Sequence, residues 1–261
     1  MEPQKRLNRI TILGIPLDDL PETELDEIVA GLEDGTNHQI ILLSVWDLMR
    51  ARQRVEFRTM VAGASLVIPI SPSIVKAAQF LKKPLPTRYQ PFEFVIKVLG
   101  ALERHGKTTY LLGGTRTIVQ KAEANLRSTF PGMQLVGRHM GNYPRQQEES
   151  IIEAVRKASP TLLLVGKGIP GGERWIPRKL PAFNSGIYLW CSDLFWIFAH
   201  AMVRPPQVLV DRGLEWVFSL LRRPWQLYRV FIFAAFKVLV LVERLGKHSP
   251  KEVEHQPKES N

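Results

Sequence analysis

The sequence predicts an α/β fold in which a mostly parallel β-sheet carries helices on both faces and is followed by a C-terminal helical appendage. Short apolar runs alternate with amphipathic helical patterns, as is typical of βαβ units. The chain has 261 residues, of which 45% are hydrophobic and 23% are charged. This composition provides enough apolar side chains for one large domain and excludes a mainly disordered chain.

Short apolar runs mark the expected strands, at residues 10–15, 39–44, 66–70, 109–112, 134–136, 161–165 and 187–190. Amphipathic segments between them mark expected helices, at residues 22–32, 92–102, 116–130 and 148–158. Pro21 stands just before the first of these helices, and Glu22 and Glu24 lie in its first turn. This is a normal helix start, with acidic side chains near the positive end of the helix dipole.

The composition changes near Pro205, which suggests the domain boundaries. We expect residues 1–204 to form the α/β domain, 205–245 a basic and aromatic helical appendage, and 246–261 a disordered polar tail. Basic and aromatic side chains at helical spacing favour contact with a membrane surface over packing on the core or on a partner subunit. The apolar run at 230–242 is too short to span a bilayer, which needs about 20 apolar residues.

Charge and cysteine content limit the class of protein. The net charge of +10 favours an anionic partner, which could be nucleic acid, a membrane surface or a phosphorylated substrate. No nucleic-acid-binding motif is present, so nucleic acid is not the expected partner. The single cysteine, Cys191, and six histidines without ligand spacing predict neither a disulfide scaffold nor a metal site, and no cofactor is expected. Residues 1–10 lack the apolar run of a secretory signal, which predicts a cytoplasmic protein.

Two glycine-containing loops follow predicted strands. The ligand-binding residues predicted in them are Gly113, Gly114, Thr115, Gly166, Gly168 and Pro170. Small residues at such positions let a phosphate approach backbone N–H groups, although the first loop is equally consistent with a tight turn in which Thr115 caps a helix. In the second loop small residues bracket Lys167 ahead of Glu173, which favours a ligand site over a surface loop. Both loops are expected to border one crevice, because carboxyl ends of parallel strands share an edge.

Arg88 lies in a proline-rich segment just before the helix at 92–102. Its guanidinium suits a phosphate or carboxylate, and a solvated loop arginine is the alternative. No HExxH, Gly-x-Ser-x-Gly, Walker or GxGxxG motif is present, so a metalloprotease, α/β-hydrolase, P-loop or dinucleotide-binding protein is not indicated.

Taken in order, the short motifs resemble those of the WecG/TagA/CpsF family of bacterial glycosyltransferases over residues 10–229. The motifs are Gly14-Ile15-Pro16-Leu17, Pro86-Thr87-Arg88, Leu111-Leu112-Gly113-Gly114-Thr115, Gly141-Asn142-Tyr143, Val165-Gly166-Lys167-Gly168-Ile169-Pro170, Glu173-Arg174-Trp175, Arg204-Pro205-Pro206 and Gly213-Leu214-Glu215-Trp216. Each is weak alone, and their order makes the resemblance specific.

The resemblance implies a Rossmann-like domain that transfers an N-acetylmannosamine-type sugar from a UDP-sugar donor to a polyprenyl-diphosphate-linked acceptor. This step would serve cell-surface polysaccharide synthesis at the inner face of the bacterial membrane. The glycine loops would then hold the nucleotide, and the appendage would contact the membrane. Arg88 would contact the acceptor or a phosphate, and Arg223 and Arg229 the diphosphate.

The resemblance implies a general base at an aspartate that follows the strand at 66–69, where this chain has Ile70. Glu173 and Asp47 are the catalytic residues predicted in its place, with Glu93 as a further candidate. Three hypotheses are therefore open: a glycosyltransferase whose base has moved or that relies on positioning, a non-catalytic binder of a nucleotide sugar or lipid-linked glycan, and a membrane adaptor. A homo-oligomer is also left open.

Overall fold

The computed structural model describes residues 7–203 and 228–246. Strands β1 (Asn8–Ile12) and β2 (Ile15–Asp19) form an antiparallel hairpin. The later strands are β3 (Asn37–Leu43), β4 (Leu66–Pro69), β5 (Thr108–Leu112), β6 (Gln134–His139), β7 (Leu162–Gly166) and β8 (Gly186–Ser192). Within the described residues they form one parallel sheet in the order β4-β3-β8-β7-β5-β6. The predicted α/β fold is confirmed.

Helices cover both faces of this sheet. They are α1 (Leu25–Gly31), α2 (Val45–Gln53), α3 (Val55–Ala62), α4 (Pro72–Phe80), α5 (Pro91–Arg104), α6 (Arg116–Thr129), α7 (Glu148–Ala158), α8 (Trp175–Lys179), α9 (Leu194–Phe198) and α10 (Tyr228–Gly246). Neighbouring strand residues point to opposite faces. Leu111 packs in the core formed with α1, α5, α6 and α9, whereas Leu112 packs in the core formed with α7 and α8.

The apolar run at 10–15 is not the single strand that the sequence predicted. Leu13 and Gly14 have φ angles of 52° and 78°, so they form a two-residue turn between β1 and β2. Both angles lie in the left-handed region that such hairpin turns require. The sequence also missed α2, α3 and α4. These helices are only 8 or 9 residues long, so each shows few repeats of an amphipathic pattern.

The hairpin is fixed to β4, the outer strand of the sheet, through the buried carboxylate of Asp18. Asp18 is only 3% exposed. Its carboxylate accepts hydrogen bonds from Arg9 at 2.6 and 2.8 Å and from the backbone N–H of Val67, in β4, at 2.7 Å. The bond from Val67 satisfies a backbone N–H group at the edge of the sheet, and the ion pair with Arg9 joins the two strands of the hairpin.

Helix α10 packs one face onto the α/β domain. Phe236 and Val240 are 2% and 5% exposed in the core that also contains residues of α2 and α4. Glu243 accepts hydrogen bonds from the backbone N–H of Leu13 at 2.9 Å and from Lys83 Nζ at 2.7 Å. None of the helices in the described ranges is long and apolar enough to cross a membrane. Residues 204–227 and the predicted tail beyond 246 lie outside the described residues, so the domain boundaries stay predictions.

Candidate active site

A cavity of about 290 Å³ lies at the carboxyl ends of β3, β4 and β8. Here β3 lies beside β8, the last strand of the sheet in the sequence, so the crevice is built from segments far apart in the chain. Open α/β sheets bind their ligands in crevices of this kind. The cavity walls combine polar and aromatic side chains, among them Ser44, Trp46, Asp47, Glu173 and Trp190. We call this cavity the crevice.

Asp47 is fixed in the crevice by the start of α2. Ser44 follows β3 directly and caps the helix, with 3.2 Å between Ser44 Oγ and the backbone N of Asp47. In return, Asp47 Oδ2 accepts hydrogen bonds from the backbone N–H and the hydroxyl of Ser44 at 3.2 and 2.6 Å. Burial raises the pKa of the Asp47 carboxyl, as does the nearby Glu173. The Ser44 hydrogen bonds and the charge of Arg50 lower this pKa, but less than burial raises it.

Arg50 joins the two predicted catalytic acids. Its Nη2 lies 3.1 Å from Asp47 Oδ1, and its Nη1 lies 2.5 Å from Glu173 Oε1. The guanidinium also lies 3.8 Å from the centre of the Phe57 ring. Asp47 and Glu173, which come from distant parts of the chain, therefore meet at one cation.

The loop after β7 brings Glu173 to the crevice. Gly171 and Gly172 have φ angles of 87° and 60°, a conformation that favours glycine, and they lead into the short turn Gly172–Arg174. Glu173 is half-buried within this turn. These two glycines thus direct the carboxylate of Glu173 into the crevice.

Ile70 lines the same crevice, at the position where the family resemblance places an aspartate. Its backbone N–H donates to the carbonyl of Leu43 at 3.0 Å, which ties the end of β4 to β3. The isoleucine side chain cannot accept a proton. Glu93, the further candidate, is exposed on α5 and does not line the crevice.

Arg88 lies beside the crevice, because its Nε donates to the carbonyl of Ile70 at 3.2 Å. Its neighbours hold the segment in place. Thr87 donates its backbone N–H and hydroxyl to Asp19 at 2.7 and 2.9 Å, and the Tyr89 hydroxyl donates to the carbonyl of Leu20 at 2.8 Å. A guanidinium is thus present at the edge where the sequence predicted a phosphate or acceptor contact.

The predicted glycine loops pack tightly against one another. A Cβ atom on Gly113 would lie 2.7 Å from the Cα of Gly166, which is too close for any side chain. The backbone N–H of Gly113 donates to the carbonyl of His139 at 2.9 Å, and that of Gly114 to the carbonyl of Lys167 at 2.7 Å. These two N–H groups are therefore used within the protein. A nucleotide-binding role for Gly113, Gly114 and Gly166 stays a prediction beside this packing role.

The remaining loop residues have different surroundings. Thr115 Oγ1 accepts a hydrogen bond from the backbone N–H of Ile118 at 3.3 Å, which makes Thr115 the cap of α6. Gly168, with a φ of 104°, lies in the turn between β7 and Glu173. Pro170 borders a separate cavity of about 400 Å³ that also contains Arg145, Glu148, Gly171, Trp175, Arg178 and Lys179. Ligand binding by Thr115, Gly168 and Pro170 stays a prediction.

Arg223 and the side chain of Arg229 lie outside the described part of the chain. Their predicted contact with the diphosphate therefore stays a prediction. Among residues 7–203 and 228–246, no group of three or more His, Cys, Asp or Glu side chains is placed to hold a metal ion.

Sequence reasoning missed Arg50 and Ser44, although one signal for them was present. Ser44-x-x-Asp47 directly after an apolar strand is a capping-box pattern that predicts a helix start. A helix there places Arg50 one turn after Asp47, on the same face. No local pattern indicates that Glu173 meets them.

The fold and the acid-bearing crevice at the carboxyl ends of its strands are those of an α/β protein with a polar ligand crevice, and comparison with known proteins specifies its class and family. Residues 10–250 match the model of the glycosyl transferase WecG/TagA/CpsF family. The chain belongs to this family of glycosyltransferases.

Two relatives from Staphylococcus aureus each match over 224 residues, 85% of this chain and 87% of theirs. The relative from strain NCTC 8325 / PS 47 is 23% identical, and that from strain MRSA252 is 22% identical. Both carry the name N-acetylglucosaminyldiphosphoundecaprenol N-acetyl-beta-D-mannosaminyltransferase.

Proposed function

We propose that this chain transfers an N-acetylhexosamine of the N-acetylmannosamine type from a UDP-sugar to a polyprenyl-diphosphate-linked acceptor. The observation that carries the proposal is the pair of carboxylates, Asp47 and Glu173, held by Arg50 in the crevice. The substrate classes are supported by the family and by the names of the relatives. In this proposal the acids of the crevice take over the part that an aspartate at position 70 would have played.

Glu173 is the general base in this proposal. As the acceptor oxygen forms its bond to C1 of the donor sugar, the bond between C1 and the UDP oxygen breaks, and the acceptor proton passes to Glu173. Asp47 is a positioning residue, because it holds Arg50 and Arg50 holds Glu173. The charge on the leaving UDP needs cations nearby, and Arg88 stands at the crevice edge to supply one. Arg223 and Arg229 are proposed to supply others.

A second candidate function is the binding of a nucleotide sugar without transfer. The observation that favours it is Ile70, an apolar side chain in the crevice at the position of the family's base. Under this alternative the Arg50 ion pairs have a structural role, and neither acid takes a proton from an acceptor.

Contact with a membrane surface is part of the proposal. Helix α10 turns an apolar stripe away from the domain, with Phe231 77%, Val238 59% and Leu245 62% exposed. An apolar stripe of this kind can lie at the boundary between lipid headgroups and acyl chains. The acceptor is lipid-linked, so we propose that the protein is peripheral at the inner face of the cell membrane.

The test combines calorimetry with a turnover assay. UDP and UDP-N-acetylhexosamines are titrated into the protein in lipid, and UDP release is measured with and without the lipid-linked acceptor. Binding with acceptor-dependent release is the expected result. Binding without release would overturn the transferase proposal in favour of the non-catalytic binder, and the absence of binding would overturn both and favour a membrane adaptor.

A further inference from the structure

Helices α4 and α10 lie side by side and leave an apolar groove of about 300 Å³ between them. Its lining includes Lys76, Ala77 and Phe80 from α4 and Lys237, Val240 and Leu241 from α10. We call this cavity the lipid groove. It is distinct from the crevice, since the two cavities share no lining residue.

The lipid groove starts near the crevice and runs away from it. Arg244, at the end of α10, donates to the carbonyl of Phe80, at the end of α4, at 2.9 Å. The two helices therefore run in the same direction. From Ser73 to Phe80 the groove follows α4 for about 10 Å, given a rise of about 1.5 Å per residue. Its near end lies at the start of α4, just after Ile70, which lines the crevice.

The chemistry of the lipid groove suits a hydrocarbon chain that carries phosphate. Its floor is apolar and buried, with Ala77 4% and Val240 5% exposed. Lys76 and Lys237 are exposed at its rim, and neither forms a salt bridge with another residue of the described ranges. Leu241 is 48% exposed and connects the groove to the outer apolar stripe of α10. A chain in the groove can thus pass from the crevice side to a membrane surface.

We propose that the lipid groove holds the isoprene units next to the diphosphate of the polyprenyl-linked acceptor, with Lys76 and Lys237 facing the phosphates. This inference rests on the proposed acceptor class. An apolar floor recognises the hydrocarbon by burial, and two lysines recognise phosphate charge. The groove therefore selects for a lipid-linked acceptor over a free sugar.

The test compares two acceptors that share the sugar diphosphate, one with a polyprenyl chain and one with a short water-soluble tail. Ala77→Trp fills the groove, and Leu241→Gln removes apolar contact at an exposed position that tolerates a polar residue. For each variant we expect the ratio of KM values, long acceptor over short, to rise about tenfold. Lys76→Glu reverses the charge of a groove lysine. Lys121→Glu makes the same charge change on the exposed face of α6, outside the groove, and is its control.

A binding measurement separates the groove from the proposed reaction. A polyprenyl diphosphate with a benzophenone on its first isoprene units is photolysed with the wild-type protein and with Ala77→Trp. Labelling of α4 and α10 that Ala77→Trp abolishes is the expected result, and it supports the groove even if no transfer is detected. Labelling elsewhere, or labelling unchanged in Ala77→Trp, would overturn the groove and leave the transferase proposal standing. If Ala77→Trp weakened binding to vesicles that contain only phosphatidylglycerol by as much as it weakened labelling, this result would also overturn the groove. The groove would then be a general lipid contact.

Discussion

The guanidinium of Arg50 and the carboxylate of Glu173, which lines the crevice, form an ion pair with 2.5 Å between Nη1 and Oε1. Arg50 lies on α2, which follows β3, whereas Glu173 lies on the loop after β7. Because β8 separates these two strands in the sheet, the ion pair links segments that follow strands on either side of β8, at the sheet edge where a substrate is expected. It also fixes the position of the Glu173 carboxylate, a proton acceptor, in the crevice that Ile70 lines.

Glu173→Gln tests the general base. The amide cannot accept the acceptor proton, so we expect UDP release to fall about 10²- to 10⁴-fold while UDP binding is retained. The measurement is acceptor-dependent UDP release beside calorimetric titration with UDP. Glu149→Gln, at an exposed position on α7, is the matched control and should keep wild-type activity. Wild-type turnover in Glu173→Gln would remove Glu173 from the mechanism.

Asp47→Asn tests the cost of burying a charge in the crevice. Burial raises the folded-state pKa of Asp47 above the value of about 3.9 that an aspartate has in an unfolded chain. The folded protein then holds this proton more tightly, so stability falls as pH rises through the interval between the two pKa values. Asparagine avoids this loss, and we expect a higher Tm than wild type at pH 7, with a difference that shrinks as pH falls through this interval towards about 3.9.

The measurement is the Tm of wild type and Asp47→Asn between about pH 3.9 and pH 7, followed by circular dichroism. Glu27→Gln, an exposed change on α1, should leave the pH dependence of Tm unchanged. We also expect Asp47→Asn to lower turnover, because Arg50 loses the anion that positions it. A Tm below wild type at pH 7 would mean that the bonds to Ser44 and Arg50 outweigh burial.

Gly113→Ala tests the packing of the glycine loops. The residue has a φ of 147°, and its new Cβ would overlap the backbone of Gly166 at 2.7 Å. We expect a loss of about 3 kcal/mol in the free energy of unfolding, which lowers Tm by about 6–12 °C. Gly31→Ala is the control, because a Cβ there meets nothing within 4 Å. If the two variants unfold at the same temperature, the loops are not as closely packed as described.

Phe231→Ser and Leu245→Ser test the outer stripe of α10. These side chains are 77% and 62% exposed, so serine should leave Tm unchanged. If the stripe enters a membrane surface, each change should weaken binding to phosphatidylglycerol vesicles about fivefold. Vesicle sedimentation measures this, with Val55→Ser as the control at a 75% exposed position on α3. Equal binding by all three variants would contradict membrane contact through α10.

Much of the fold could be predicted because its signals are local. Helix α7 has the predicted bounds, and α6 differs from its prediction by one residue, since both show the helical apolar period over three or more turns. The hairpin of β1 and β2 was missed because its turn residue Leu13 is apolar, so the apolar run continues through the turn. The candidate site was predicted in part: Asp47, Glu173 and Arg88 lie together at one edge, whereas Arg50 was not anticipated.

By itself the sequence determined the alternation of strands and helices, the placement of loops at the carboxyl ends of strands, and the family to which the ordered motifs belong. These features depend on residue spacing and on short motifs, and both can be recognised in the sequence without knowledge of tertiary contacts. Only the tertiary structure decided that β8 lies between β3 and β7, that Arg50 joins Asp47 to Glu173, and that α10 docks on the domain. Each of these depends on contacts between segments far apart in the chain, which local periodicity does not specify.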